Sequence, residues 1–260
     1  MQLPAEIRNM IYIYTLGDPS GINLVATFKH RRRTVERVSA ELMSDIAGTY
    51  HWRRKNQIND NLRDKHQEPV PLVPSLLAVS KQIYQEGRDI LYNNEFVFAD
   101  TSVLYHFMLN ISPAGAKQLK HLRIMQWNHG RGMKPYNNAC FAVLGQATNL
   151  QTLHLDELDG YARKPQAAAA QMYRDAFPWF EAIGAAKGKV DAGVDLLQID
   201  PEVFDYTYWH QGTQRVVSGE EKRDEYLEAL RKLLGVQQKR LMAPLVKKSK
   251  KAKAAVSDVQ

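Results

Sequence analysis

Residues Ser75–Asp100, SLLAVSKQIYQEGRDILYNNEFVFAD, read as a helix, a turn and a strand, and the rest of the chain makes most sense as their partners. Pro74 followed by Ser75 is a helix-start signal, because a serine oxygen can accept from an orphan N–H of the first turn. Leu76, Val79, Ile83, Gly87 and Ile90 then recur at helical spacing, with Leu77, Tyr84 and Leu91 widening the stripe. Lys81, Gln85, Glu86, Arg88 and Asp89 fall largely on the opposite side. A glycine inside a helix costs about 1 kcal/mol against alanine, so Gly87 in the apolar seam predicts close packing there. Asn93-Asn94 is expected to end the helix through the left-handed conformation that Asn tolerates. Phe96 and Phe98, alternating with Val97, predict a short buried strand.

Upstream, Leu3–Leu16, LPAEIRNMIYIYTL, predicts a short amphipathic helix with Leu3, Ile7, Met10, Ile11 and Tyr14 on one face. Pro4 suits its first position, Glu6 complements the N-terminal dipole, and Gly17–Gly21 is a stop and turn. From about residue 21 to 74 the chain carries an insertion. It opens with a possible strand at Ile22–Val25 and holds Val35, Val38, Leu42, Met43 and Ile46 at rough helical spacing. Two basic clusters punctuate it, Arg31, Arg32 and Arg33 after Lys29-His30, and Arg53, Arg54 and Lys55 beside Trp52. Like-charge blocks read first as solvated, partly mobile segments; the alternative is a phosphate grip with an aromatic to stack a base. Glu68–Pro74, with three prolines, reads as an extended linker.

Leu3-Pro4-x-Glu6-Ile7-Arg8-x-x-Ile11-Tyr12 resembles the opening of an F-box, in the divergent F-box-like form of filamentous fungi. Leu76-Leu77-x-Val79-x-Lys81-Gln82-Ile83-Tyr84-x-Glu86, followed by Leu91-Tyr92-x-Asn94-x-Phe96, is similar to the second half of the same module. This resemblance implies a small helical unit that docks the Skp1 subunit of a cullin-type ubiquitin ligase, while a variable C-terminal region recruits a protein target. Leu3, Pro4, Ile7, Ile11, Leu77, Val79 and Ile83 would supply part of the Skp1-facing apolar surface. The reading makes a geometric demand: some of these side chains must be exposed together.

After Asp100, Thr101 or Ser102 is expected to cap a short helix containing Val103, Leu104, Phe107 and Met108, and Ser112-Pro113 to start another. Three strand-like pieces follow, His121–Trp127, Leu150–Leu155 and Val194–Ile199. Helical material precedes the second at Cys140–Ala147 and the third at Ala167–Ile183, the latter interrupted by Pro178. This alternation predicts a small, mainly parallel sheet with helices packed on it. Asn149–Leu155 also resembles a degenerate leucine-rich-repeat strand, with leucines alternating inward. Ser218-x-x-Glu221 is a capping box opening a long helix that Pro244 is expected to end. Lys247, Lys248, Lys250, Lys251 and Lys253 then form a basic tail, read equally as a nuclear localisation patch or a disordered solubilising end.

The fold expectation is therefore mixed α/β. An F-box-like module at 1–100, interrupted by the basic insertion, packs on a degenerate repeat-like helix/strand region at 101–243, and a basic disordered tail follows at 244–260. The single cysteine, Cys140, excludes an internal disulfide framework and suits the nucleus or cytoplasm. No apolar run approaches the roughly 20 residues that span a bilayer, so no membrane partner is expected. Hydrophobic residues make up 44% of the chain, enough for a core, and the net charge of +7 is concentrated in the basic segments. No H-E-x-x-H, CxxC or G-x-S-x-G motif is present, and Gly184–Lys189 lacks the glycine spacing of a phosphate loop. Asp156-Glu157, Asp159 and Asp200-Pro201-Glu202 read as turn and capping groups, and a Cys140–His154 nucleophile pair would need the fold to bring the two together. The expectation is a binding protein without cofactor or catalysis. The alternatives are a nuclear nucleic-acid-associated protein using the two arginine-rich clusters, or an interaction protein whose F-box-like module no longer binds Skp1.

Overall fold

A computed structural model of the chain describes residues 3–29, 32–47, 68–127, 134–158, 164–210 and 213–257. Two apolar ladders run across its main sheet. In one, Ile22, Phe96, Leu122, Leu153 and Leu197 stand in register on successive strands; in the other, Leu24, Phe98, Ile124, Leu155 and Ile199 do so. The strands are β1 (Ile22–Lys29), β2 (Arg32–Val38), β3 (Glu95–Phe98), β4 (His121–Ile124), β5 (Thr152–Leu155) and β6 (Leu197–Ile199), in the order β2-β1-β3-β4-β5-β6. All neighbours are parallel except β2, which closes the β1 edge antiparallel. From β1 onward the parallel strands are added in chain order in one direction. With right-handed crossovers, that order puts the connecting helices on one side of the sheet.

Those helices are α3 (Lys81–Tyr92) before β3, α4 (Thr101–Asn110) and α5 (Pro113–Ala116) before β4, α6 (Lys134–Leu144) before β5, and α7 (Pro165–Lys187) with α8 (Ala192–Leu196) before β6. Helix α4 packs on α6, α6 on α7, and α7 on the long C-terminal α9 (Gly219–Ser257). Asp100, not Thr101 or Ser102, caps α4: its Oδ1 accepts from the N–H of Ser102 and Val103. Ser112 caps α5 by accepting from Gly115. The mixed α/β class with a mainly parallel sheet holds, and the sheet is continuous across residue 100.

Several local expectations are corrected. The first half of the insertion belongs to the core and is not a solvated segment. Val35 and Val38 lie on β2, while Leu42, Met43 and Ile46 lie on a separate helix, α2 (Ala40–Ala47), and are buried with Val25 and Val38. A periodicity that looked helical was a strand followed by a helix. The helix expected from Ser75 is split: Pro74–Ala78 forms a 3-10 turn, and α3 begins at Lys81 with Ser80 as its cap, accepting from Ile83 at 3.2 Å. Ser75 is thus not the cap. Val194–Leu196 is the end of α8, so the third strand is shorter than its apolar run. Pro178 lies inside α7 without ending it. Likewise α9 continues past Pro244 to Ser257, so the backbone from 244 to 257 is helical and not a structureless tail. Its Lys- and Ala-rich sequence has the helix propensity to do this. A hairpin, β7 (Tyr206–His210) with β8 (Thr213–Val217), forms a second sheet that the periodicity did not signal.

Candidate interaction surfaces

Helix α1 (Ala5–Leu16) carries the first surface, and turns Arg8, Tyr12 and Leu16 inward. Arg8 donates from Nε to Glu86 Oε2 and from Nη2 to Glu86 Oε1, each at 2.9 Å. Tyr12 Oη donates to Oε2 of the same carboxylate at 2.9 Å, and Gln82 Nε2 donates to Oε1 at 2.9 Å. Hydrogen bonds from Arg8, then Gln82, then Tyr12 hold the Glu86 carboxyl down at about 2, from an ordinary 4.5. Gly87 packs at the same junction: a Cβ there would stand 2.9 Å from both Leu16 Cδ1 and Leu77 Cδ2, which accounts for the glycine in the seam. The far end is tied by Asn94. Its Nδ2 donates to the Leu16 carbonyl at 2.8 Å and the Leu91 carbonyl at 2.8 Å, while its Oδ1 accepts from Asp18 N–H at 2.7 Å. Asn94 therefore satisfies the terminal carbonyls of α1 and α3 with its side chain, and the α3 cap residue Asn93 is right-handed at φ −87°. The left-handed stop expected there is replaced by side-chain capping.

With Arg8, Tyr12 and Leu16 turned inward, the large apolar residues earlier on α1 face out. Leu3, Ile7, Met10, Ile11, Ile13 and Tyr14 are all exposed, from 38% at Ile11 to 75% at Tyr14. Pro4 is exposed beside them, as is Val79 at 68%, while Leu77 and Ile83 are half-buried. The linker runs alongside: Val73 N–H donates to the Thr15 carbonyl at 2.9 Å, with Val70 and Val73 also exposed. This arrangement inverts the usual surface helix, whose apolar stripe faces the core.

The second surface is the face of β4–β6 opposite the leucine ladders. Between the ladders, Arg123, His154 and Gln198 stand in register, flanked by His121 and Thr152, whose Nδ1 and Oγ1 lie 2.9 Å apart. Arg123 Nε donates to both oxygens of Asp156, at 2.9 and 3.0 Å. His154 Nε2 sits 3.7 Å from Asp156 and 3.4 Å from Asp200. Asp156, just past β5, thus ties that strand's end to β4 through its ion pair with Arg123. A shallow cleft of about 250 Å³ at the same end is lined by Asp156, Glu157, Leu158 and Val203.

Cys140 is fully buried among the helices and its thiol is pushed well up by burial, with Asp100 adding to the effect. Leu153 and Leu155 face that core, and His154 alternates to the other side of the sheet, so the two are not brought together as a nucleophile–base pair. Among the described residues no group of His, Cys, Asp and Glu is placed to hold a metal ion, and no helix is long and apolar enough to cross a membrane. Arg31, Arg53, Arg54 and Lys55 lie outside the described residues, as does Asp159. Arg32 and Arg33 begin β2, and Lys247, Lys248, Lys250, Lys251 and Lys253 lie on the backbone of α9.

A family model described as a domain of unknown function, DUF7730, matches residues 1–163. The chain belongs to the DUF7730 family. No curated protein and no solved structure matches it. The DUF7730 match takes in α1, the Arg8–Glu86 junction and the sheet through β5, and leaves α7 to α9 outside it. The sequence patterns contain Arg8, Tyr12, Gln82 and Glu86 with no role legible for them, and signal for Asn94 only a helix end. The signal was their polarity inside otherwise apolar blocks, in two segments that must meet.

Proposed function

We propose that this protein is an F-box-like adaptor: the unit made by α1, the 3-10 turn and α3 docks a Skp1-like subunit of a cullin-type ubiquitin ligase, and the sheet region recruits a protein target, in the nucleus or cytoplasm. The observation that carries the reading is the outward apolar face of α1. Leu3, Pro4, Ile7 and Ile11, four of the residues expected to meet Skp1, are exposed, as are Met10 on the same helix and Val79 before α3. A row of exposed large apolar side chains on one helix suits a protein partner. The second half of the F-box-like pattern supplies Gln82, Glu86 and Asn94, which hold α1 in that orientation. Parallel strands added in chain order, each with leucines on one face, support a degenerate leucine-rich-repeat-like reading of β3–β6.

The test is binding of the purified chain to Skp1 from the same organism, by pull-down and calorimetry. Ile7→Asp and Ile11→Asp, at exposed positions, should leave the fold intact by circular dichroism and abolish the complex. No binding by the folded, unsubstituted chain would sink the reading.

A further inference from the structure

Helix α9 separates its charges along its length. Its carboxylates, Glu220, Glu221, Asp224, Glu225 and Glu228, all precede Ala229. From Ala229 to Ser257 there is no acidic residue, and nine Lys or Arg occur, five of them at Lys247, Lys248, Lys250, Lys251 and Lys253. Glu220 and Glu221 in the first turn complement the helix dipole.

The first half of α9 is anchored. Tyr226, Leu230 and Leu234 are buried, and Arg231 pairs with Asp195 at 3.0 Å, just beyond the C-terminal end of α7. Further along α9, Tyr173, in the first half of α7, donates to Gln237. The two helices are therefore antiparallel. Pro165, the first residue of α7, precedes Tyr173 by a helical length of about 12 Å, at roughly 1.5 Å per residue. On that spacing α9 passes the end of α7 near Leu245, and Lys247–Lys253 follow on helical backbone beyond it.

We propose that this projecting end of α9 is a sequence-independent grip on the phosphate backbone of double-stranded nucleic acid. Five lysines over a rise of about 9 Å match a duplex that carries one phosphate charge per ~1.7 Å of axis. The segment from Ala229 to Ser257 contains no aromatic residue, so it lacks the stacking platform on which single-strand binders rely. Lysine is a compact point charge on a flexible stem, which suits contacts to phosphate oxygens, and such contacts carry no sequence preference. Beyond Val246 the lysines are interleaved only with Ser and Ala as far as Ala255, which leaves no large apolar side chain to sink into a bilayer. The grip lies outside the family-matched residues and does not depend on the adaptor reading.

The experiment is fluorescence anisotropy of the full chain with a labelled random-sequence DNA duplex, a single strand of the same composition, and phosphatidylserine vesicles. We expect a micromolar Kd for duplex at about 50 mM salt, and a loss of about 500-fold by 200 mM, the change for five neutralised phosphates at a log–log slope of about −4.5. Replacing all five lysines with Gln should abolish duplex binding and leave the circular dichroism spectrum unchanged, and replacing them with Arg should keep the binding. Duplex binding that ignores salt, or that survives the Gln replacement, overturns the proposal. So does preference for the single strand, or capture by vesicles alone.

Discussion

Arg8 and Glu86, separated by 78 residues in the chain, meet through two parallel hydrogen bonds of 2.9 Å. The fork geometry fixes the rotation of α1 on α3, because only one orientation of the helix presents the guanidinium edge-on to the carboxylate. Rotation in turn decides which side of α1 meets solvent.

That contact predicts a pH dependence. Glu86 titrates at about 2 in the folded chain against an ordinary 4.5. A depressed carboxyl contributes stability that is fully present above the unfolded value and is lost as pH falls through the folded one. Urea midpoints should therefore fall between about pH 4.5 and 2. In Glu86→Gln this component should be missing and the midpoint at neutral pH lower. An unaltered acid limb in the variant would show that the pair contributes nothing in solution.

Asn94→Ala removes donors to the last carbonyls of both α1 and α3 and the acceptor for Asp18 N–H. Losing such a part-buried set should cost about 1–3 kcal/mol in chemical denaturation. Asn94→Asp keeps the acceptor and loses the donors, so it should not restore stability.

Gly193→Ala tests the packing of α8 on α7. An added Cβ would lie 2.6 Å from Phe180 Cδ1 and 3.4 Å from Trp179 Cζ3, both on fully buried aromatic side chains. The rings cannot yield as the end of an aliphatic chain can. Overpacking of this kind costs roughly 1–3 kcal/mol, which exceeds the roughly 1 kcal/mol that alanine gains over glycine in a helix. A melting temperature equal to or above that of the parent would contradict the packing described.

Cys140 should be silent toward thiol reagents. It is completely buried, and burial pushes its thiol well above the ordinary range. With a chromogenic disulfide reagent at mildly alkaline pH, the folded chain should react negligibly and the unfolded chain should release one equivalent. Fast reaction in the folded state would mean that α6 opens readily.

Much of the fold was legible because its signals are local. Alternating leucines at Leu122–Ile124 and Leu153–Leu155 mark one-sided strands, and the sequence alternates them with helices, so a parallel sheet follows. Signals that depended on extending a period failed. The split at Val79–Ser80 was hidden because Leu76, Val79 and Ile83 keep helical spacing across the break. The strand-then-helix at Val35–Ile46 was hidden for the same reason, since a few apolar residues fit either period.

By itself the sequence determined the mixed α/β class, the strands β3 to β5, the existence of α1, α3 and α9, and the close approach at Gly87, because propensity, alternation and glycine cost act over a few neighbours. Tertiary structure alone decided that β1 joins β3 across the insertion, that Asn94 caps two helices, and that α1 turns its apolar side outward. These depend on partners about 75 residues apart, and the rotation of α1 is set where Arg8, Tyr12 and Gln82 converge on the single carboxylate of Glu86.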